Sequence, residues 1–213
     1  MRRPILSCVL LFALALTARA ADGPRLVLSK YFKGSTPETV IITIEKNGAA
    51  LYREAVDDDN PLKFQLSAAA TTEVFALAAK LDNFKQPLES GLKVAQMGLK
   101  TFRYENGSEV QEAKFNYSIN PDAQALARWF EKMAETEQNF IVLDRSIHFD
   151  KLGVDRALLN LESSYVNGRL IDPSQFFPLL DRVSKNESFL HMDRELASRL
   201  SEEFRKPREK SAQ

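Results

Sequence analysis

Through the first half of the chain apolar and polar residues alternate with the two-residue period of a β-strand; from about residue 68 that pattern is repeatedly replaced by a helical one. Val40-Ile41-Ile42-Thr43-Ile44-Glu45-Lys46 runs into Asn47-Gly48 and leaves through Leu51-Tyr52-Arg53. Thr101-Phe102-Arg103-Tyr104-Glu105 runs into Asn106-Gly107 and leaves through Glu109 to Tyr117. Asn-Gly favours a two-residue type I′ turn, which predicts two hairpins and fixes their registers. In the first, Ile44 should oppose Leu51, placing Val40, Ile42, Ile44, Leu51 and Ala55 on one face with Arg53. In the second, Phe102 and Tyr104 should share a face with Ala113, Phe115 and Tyr117. A further strand is expected over residues 25–33, where Leu26 and Leu28 alternate with Val27 and Ser29.

A helix signal follows each hairpin. Ser67 is placed to cap a helix to about Leu81 with Val74, Leu77, Ala78 and Leu81 on one stripe. Asn120 caps a second, with Pro121 at its first position and Ala123, Leu126, Ala127, Phe130, Met133 and Ala134 on its apolar side. The two segments close alike, with Leu81-Asp82-Asn83-Phe84 and Glu137-Gln138-Asn139-Phe140, which suggests a degenerate tandem repeat. Phe140-Ile141-Val142-Leu143 either continues the second helix or forms a strand. Beyond it three helices are expected. One runs from Val154 to Tyr165 and stops at Asn167-Gly168; one opens near Asp172-Pro173, with Pro178 bending it or moving its start. The last is capped by Ser188, with Phe189, Met192, Leu196, Leu200 and Phe204 in one stripe. The fold class is therefore α+β: an antiparallel sheet built from two hairpin-plus-helix (ββα) units, with helices on one face, followed by a C-terminal segment of about three helices.

Residues 1–20 change the picture. Arg2 and Arg3 precede an apolar run from Ile5 to Leu16 and then Ala18-Arg19-Ala20, the pattern of a cleaved signal peptide. The run is well short of the roughly 20 residues that span a bilayer. The expected organisation is a signal peptide at 1–20, an α+β domain at 21–145, a helical segment at 146–206 and a disordered basic tail at 207–213. The exported chain would contain no cysteine, since Cys8 lies in the leader. It would carry 26 basic against 29 acidic residues, net −3, a poor match to nucleic acid.

Chemistry-bearing motifs are sparse. His148 and His191 both occur as His-x-Asp, followed by Asp150 and Asp193. On a helix, residues two apart diverge by about 200° and cannot share a metal, whereas Glu195 lies four after His191 and could pair with it. Ser90-Gly91-Leu92-Lys93 resembles the Ser-x-x-Lys nucleophile motif of penicillin-binding proteins and serine β-lactamases, and Ser118-Ile119-Asn120 resembles their second element. That resemblance implies acyl transfer with Ser90 attacking and Lys93 taking its proton. The third element, Lys-Thr-Gly, is missing, because Lys100-Thr101-Phe102 lacks the glycine and precedes the second element. Asp57-Asp58-Asp59-Asn60 lacks the ligand spacing of a calcium loop and reads as a solvated turn. Asn106, Asn116 and Asn186 begin formal glycosylation sequons.

These features point to a non-catalytic binding or interaction module of the bacterial cell envelope, periplasmic or extracellular. Its partner would be an unknown protein or small molecule; no nucleic acid, metal or cofactor is expected, and no membrane span once the leader is removed. The alternative is a hydrolase with an unrecognised carboxylate or Ser-Lys site. A third option is an envelope assembly or inhibitor protein offering a strand edge, or the aromatic face around Phe102 and Tyr104, to its partner.

Overall fold

The computed structural model describes residues 23–206. The expected signal peptide and basic tail lie outside them. The fold is mixed helix and strand, with six strands in one antiparallel sheet followed and flanked by five helices. The strands are β1 (Arg25–Tyr31), β2 (Thr39–Glu45), β3 (Ala49–Arg53), β4 (Leu62–Gln65), β5 (Leu99–Asn106) and β6 (Glu109–Phe115), in the spatial order β4-β3-β2-β1-β5-β6. The N-terminal strand β1 thus lies inside the sheet and joins the two hairpins. β4 is absent from the sequence expectation, so four strands, not three, precede the first helix; its four residues are too few to show a clear period.

Both hairpins form, and neither uses its Asn-Gly as a type I′ turn. In the first, Ile44 pairs with Ala50 and Thr43 with Leu51, leaving Lys46-Asn47-Gly48 as a three-residue loop with Gly48 at φ +86°. A one-residue slip exchanges the faces of a strand. Ala50 and Tyr52 therefore enter the core, while Leu51 and Arg53, expected there, lie on the other side. Tertiary packing explains the choice: a Cβ on residue 48 would sit 2.6 Å from Gln65 Nε2 and 2.9 Å from Leu66 O, so the chain comes in against the β4–α1 corner where only glycine fits. In the second hairpin Asn106 pairs with Glu109, and Gly107, at φ +59°, takes the first loop position, as in a type II′ turn. The register moves by two residues. Phe102, Ala113 and Phe115 consequently still share the core face.

Helix α1 (Ala68–Lys80) is capped by Ser67, whose hydroxyl accepts from Ala70 N. It closes in a left-handed turn, Asp82, Asn83 and Phe84, with φ of +50°, +49° and +70°. Such backbone costs of order 1 kcal/mol per non-glycine residue; the Phe84 ring, buried against Phe102 at 5.9 Å, offsets it. The similar tetrapeptide at 137–140 is continuous helix. It belongs to α2 (Pro121–Phe149), which Asn120 caps through Asp122 N and Ala123 N and which absorbs Phe140–Leu143. At about 1.5 Å per residue its 29 residues span roughly 43 Å. No helix among the described residues is long and apolar enough to cross a membrane.

The length of α2 lets it serve two cores. Its first half, through Leu126, Phe130 and Met133, packs with α1 on the face of the sheet that carries Leu26, Leu28, Ile42, Ile44 and Phe102. Its second half, through Leu143 and Ile147, packs with α3 (Val154–Val166), α4 (Phe177–Ser184) and α5 (His191–Arg205). Pro178 falls in the first turn of α4, where a missing N–H costs nothing. Two details of α5 differ from expectation. Its cap position is Leu190, not Ser188, whose hydroxyl instead accepts from Lys151 Nζ. Met192 lies in solvent outside the buried stripe of Leu196, Ala197, Leu200 and Phe204.

Candidate functional site

The helix-facing stripes of β1 and β5 are apolar until their ends. On β1, Leu26 and Leu28 are followed by Lys30; on β5, Phe102 is preceded by Lys100. The two lysines are direct cross-strand partners. Like charges opposite one another weaken an antiparallel pair, and here they face the core side. Lys30 reaches up to α2, with Nζ 3.2 Å from Glu131 Oε1. Lys100 is only 5% exposed; its ammonium donates to Asn116 O at 3.1 Å and lies 5.8 Å from the Phe115 ring centroid. Burial lowers its pKa, and the charge of Lys30 lowers it further against the opposing pull of Glu131 and Glu89.

Two cavities open beside this pair. One, about 280 Å³, is lined by Lys100, Phe115, Met97, Tyr117, Ala127 and Arg128 among others. The other, about 410 Å³, is lined by Lys30, Phe32, Pro37, Val40 and Phe130. Glu131 borders both. The 88–98 loop forms one rim and is tied down by polar contacts. The Asn116 amide accepts from Met97 N at 2.7 Å and donates to Ala95 O at 3.0 Å. Glu89 accepts from Asn116 N and Ser90 N, and the first of these contacts is the main reason its pKa is lowered. Gly98, at φ +92°, completes the rim; a Cβ there would meet Lys30 Cε at 2.9 Å.

The residues singled out by motif are scattered. Ser90 Oγ donates to Glu89, and Lys93 makes no hydrogen bond or ion pair among the described residues. Ser118 is buried, its hydroxyl accepting from Asn120 N ahead of the α2 cap. His148 lies in the last turn of α2, with Nδ1 donating to Asp144 O at 2.8 Å and Nε2 accepting from Arg182 at 2.7 Å. Both ring nitrogens are therefore engaged within the fold. His191 pairs with Glu195 at 3.2 Å on the solvent side of α5, while Asp193 is buried on the opposite side. Burial, followed by the charge of Asp155, raises the Asp193 pKa. No three His, Cys, Asp or Glu residues are grouped to hold a metal among the described residues. In the acidic run, Asp58 accepts from Asn60 N in a local turn. Phe102 is wholly inside the core, so the aromatic face expected around it is not available at the surface.

Another buried ionisable group lies between the two cores. Glu137 on α2 is fully buried, accepts from Gln175 Nε2 at 3.1 Å and has its pKa pushed up to about 8, first by burial and then by the charge of Asp172, against the Gln175 bond. Polar links cross the same seam: Thr136 Oγ1 accepts from Ile171 N at 2.9 Å, and Asp172 accepts from Ser67 N. Neither Glu137 nor the lysine pair was singled out by sequence reasoning. Lys30 and Lys100 did break apolar strand stripes, which was a readable sign, but their pairing depended on β1 lying beside β5. The chain matches no protein-family model and no curated protein.

Proposed function

We propose that this is an exported, non-catalytic binding protein of a bacterial cell envelope, working through the groove between α2 and the ends of β1 and β5. The observation that carries this reading is the pair of lysines, one buried, bordering two cavities. Charge placed at the floor of an open cavity suits recognition of a ligand. The export element rests on the charged, apolar and small-residue pattern of residues 1–20. The tandem origin of the sheet belongs to the same reading; a hairpin precedes each helix and both helices pack on one face, although β4 intervenes in the first unit alone. Ser90 is held by Glu89 and Glu137 is closed off from solvent, so neither favours the hydrolase reading.

The reading is tested by fractionating the native host and recording the protein under native and denaturing mass spectrometry. A chain beginning at Ala21, recovered from the envelope fraction with a retained small molecule, supports it. A chain retaining Met1 in the cytoplasm overturns the localisation. Loss of cellular function without unfolding on Ser90→Ala, His148→Ala or His191→Ala would overturn the non-catalytic assignment.

A further inference from the structure

Lys100 occupies a position that packing alone would give to an apolar residue. Its strand neighbour on the same face, Phe102, and the nearby Leu28 are both fully buried. Its cross-strand partner is another lysine, and Glu131, the α2 carboxylate facing that pair, is bonded to Lys30. Glu89 is occupied by backbone N–H groups. The Lys100 ammonium has three donors and makes one hydrogen bond, to a neutral carbonyl; no ion pair forms to it among the described residues. A buried charge with no carboxylate in ion-pair contact is costly, and an arriving anion would offset that cost. The cavity beside it contains a second cation, Arg128, one carboxylate, Glu131, which is paired with Lys30, and apolar walls from Met97, Phe115 and Ala127. An inorganic anion would leave those walls unfilled.

Resting on the binding reading above, we propose that the cavity beside Lys100 takes a monocarboxylate with an apolar body, its carboxylate on Lys100 and its hydrocarbon part against Phe115, Met97 and Ala127. Lys100 supplies the charge that selects the head group, and the cavity walls select the body. Arg128 at the rim draws the anion in.

The test is titration calorimetry on the full chain purified from its native host and dialysed free of small molecules, with octanoate, octanol and inorganic phosphate as probes. Octanoate is expected to bind at least tenfold more tightly than either of the others. Lys100→Met keeps the stem and removes the charge, and should weaken octanoate at least tenfold while leaving octanol unchanged. Ala127→Phe keeps the charge and fills the cavity, and should weaken octanoate while sparing phosphate. Circular dichroism confirms that each variant is folded. Equal binding of octanol, tighter binding of phosphate, or octanoate affinity unchanged in folded Lys100→Met overturns the proposal. If octanoate fails while native mass spectrometry shows another retained small molecule, the ligand class falls and the binding reading stands. If octanoate fails and nothing is retained, both fall.

Discussion

Lys100 and Glu137 are both buried ionisable side chains touching α2 or its neighbours, yet their surroundings differ in kind. Glu137 lies in the closed seam between the two cores, bonded to Gln175, and its elevated pKa keeps it largely protonated in weakly acidic to neutral solution. Lys100 lies at the open end of the first core, beside a cavity, with a like charge opposite and no carboxylate of its own. A closed site answers a buried charge by neutralising it; an open one can leave the charge for a ligand.

The largest expected effect is on the closed side. With its pKa raised from 4.5 to about 8, Glu137 binds a proton more readily in the folded than in the unfolded chain. Its stabilising contribution is complete below pH 4.5, declines as pH rises, and is lost above about 8. At 1.36 kcal/mol per pH unit, the loss is on the order of 5 kcal/mol. Glu137→Gln, which can still accept from Gln175, should remove that slope and be the more stable chain at pH 8. Urea unfolding at pH 5 and pH 8 measures it; a mutant whose stability keeps the wild-type pH slope would refute the assignment.

On the open side, Lys100→Met should raise stability by about 1–3 kcal/mol, because an uncompensated buried charge is exchanged for an apolar chain of similar length. Stability gained where binding is lost would mark a position kept for its ligand. A destabilised variant in urea melts would show instead that Lys100 is structural. Gly98→Ala should cost about 1–2 kcal/mol, since its φ of +92° and the approach to Lys30 both exclude a Cβ. It should also weaken octanoate by disturbing the cavity rim, an effect that leaves the Glu137 pH slope unchanged. The smallest effect is expected from Lys30→Met, which should raise the Lys100 pKa by removing the like charge on the neighbouring strand. Because the folded-state value lies below that of the unfolded chain, wild-type stability should climb with pH toward 10.5; the variant should climb less in alkaline urea titrations.

Much of the secondary structure was legible in the residues themselves. Ser67 and Asn120 cap the helices their positions foretold, Pro121 begins α2, and Asn167 ends α3, because caps and proline act within a few residues. The mixed α+β class followed from the two periodicities. Local signals misled where a distant segment had the deciding contact. Asn47-Gly48 suggested a two-residue turn, but Gly48 lies against Gln65 and Leu66, and the slip carried Tyr52 inward and Leu51 outward. Asp82-Asn83-Phe84 and Gln138-Asn139-Phe140 read alike and fold differently, one as a left-handed stop held by its buried ring and the other as mid-helix spanning two cores.

By itself the chain determined most of the segments that become strands and helices, β4 apart, since period, caps and breakers are properties of neighbouring residues. Only the tertiary structure decided that β1 would lie between the hairpins, that Lys30 would face Lys100, and that Glu137 would be sealed between two cores. Those juxtapositions join residues dozens of positions apart, and their energies come from burial and charge in three dimensions, which no local pattern encodes.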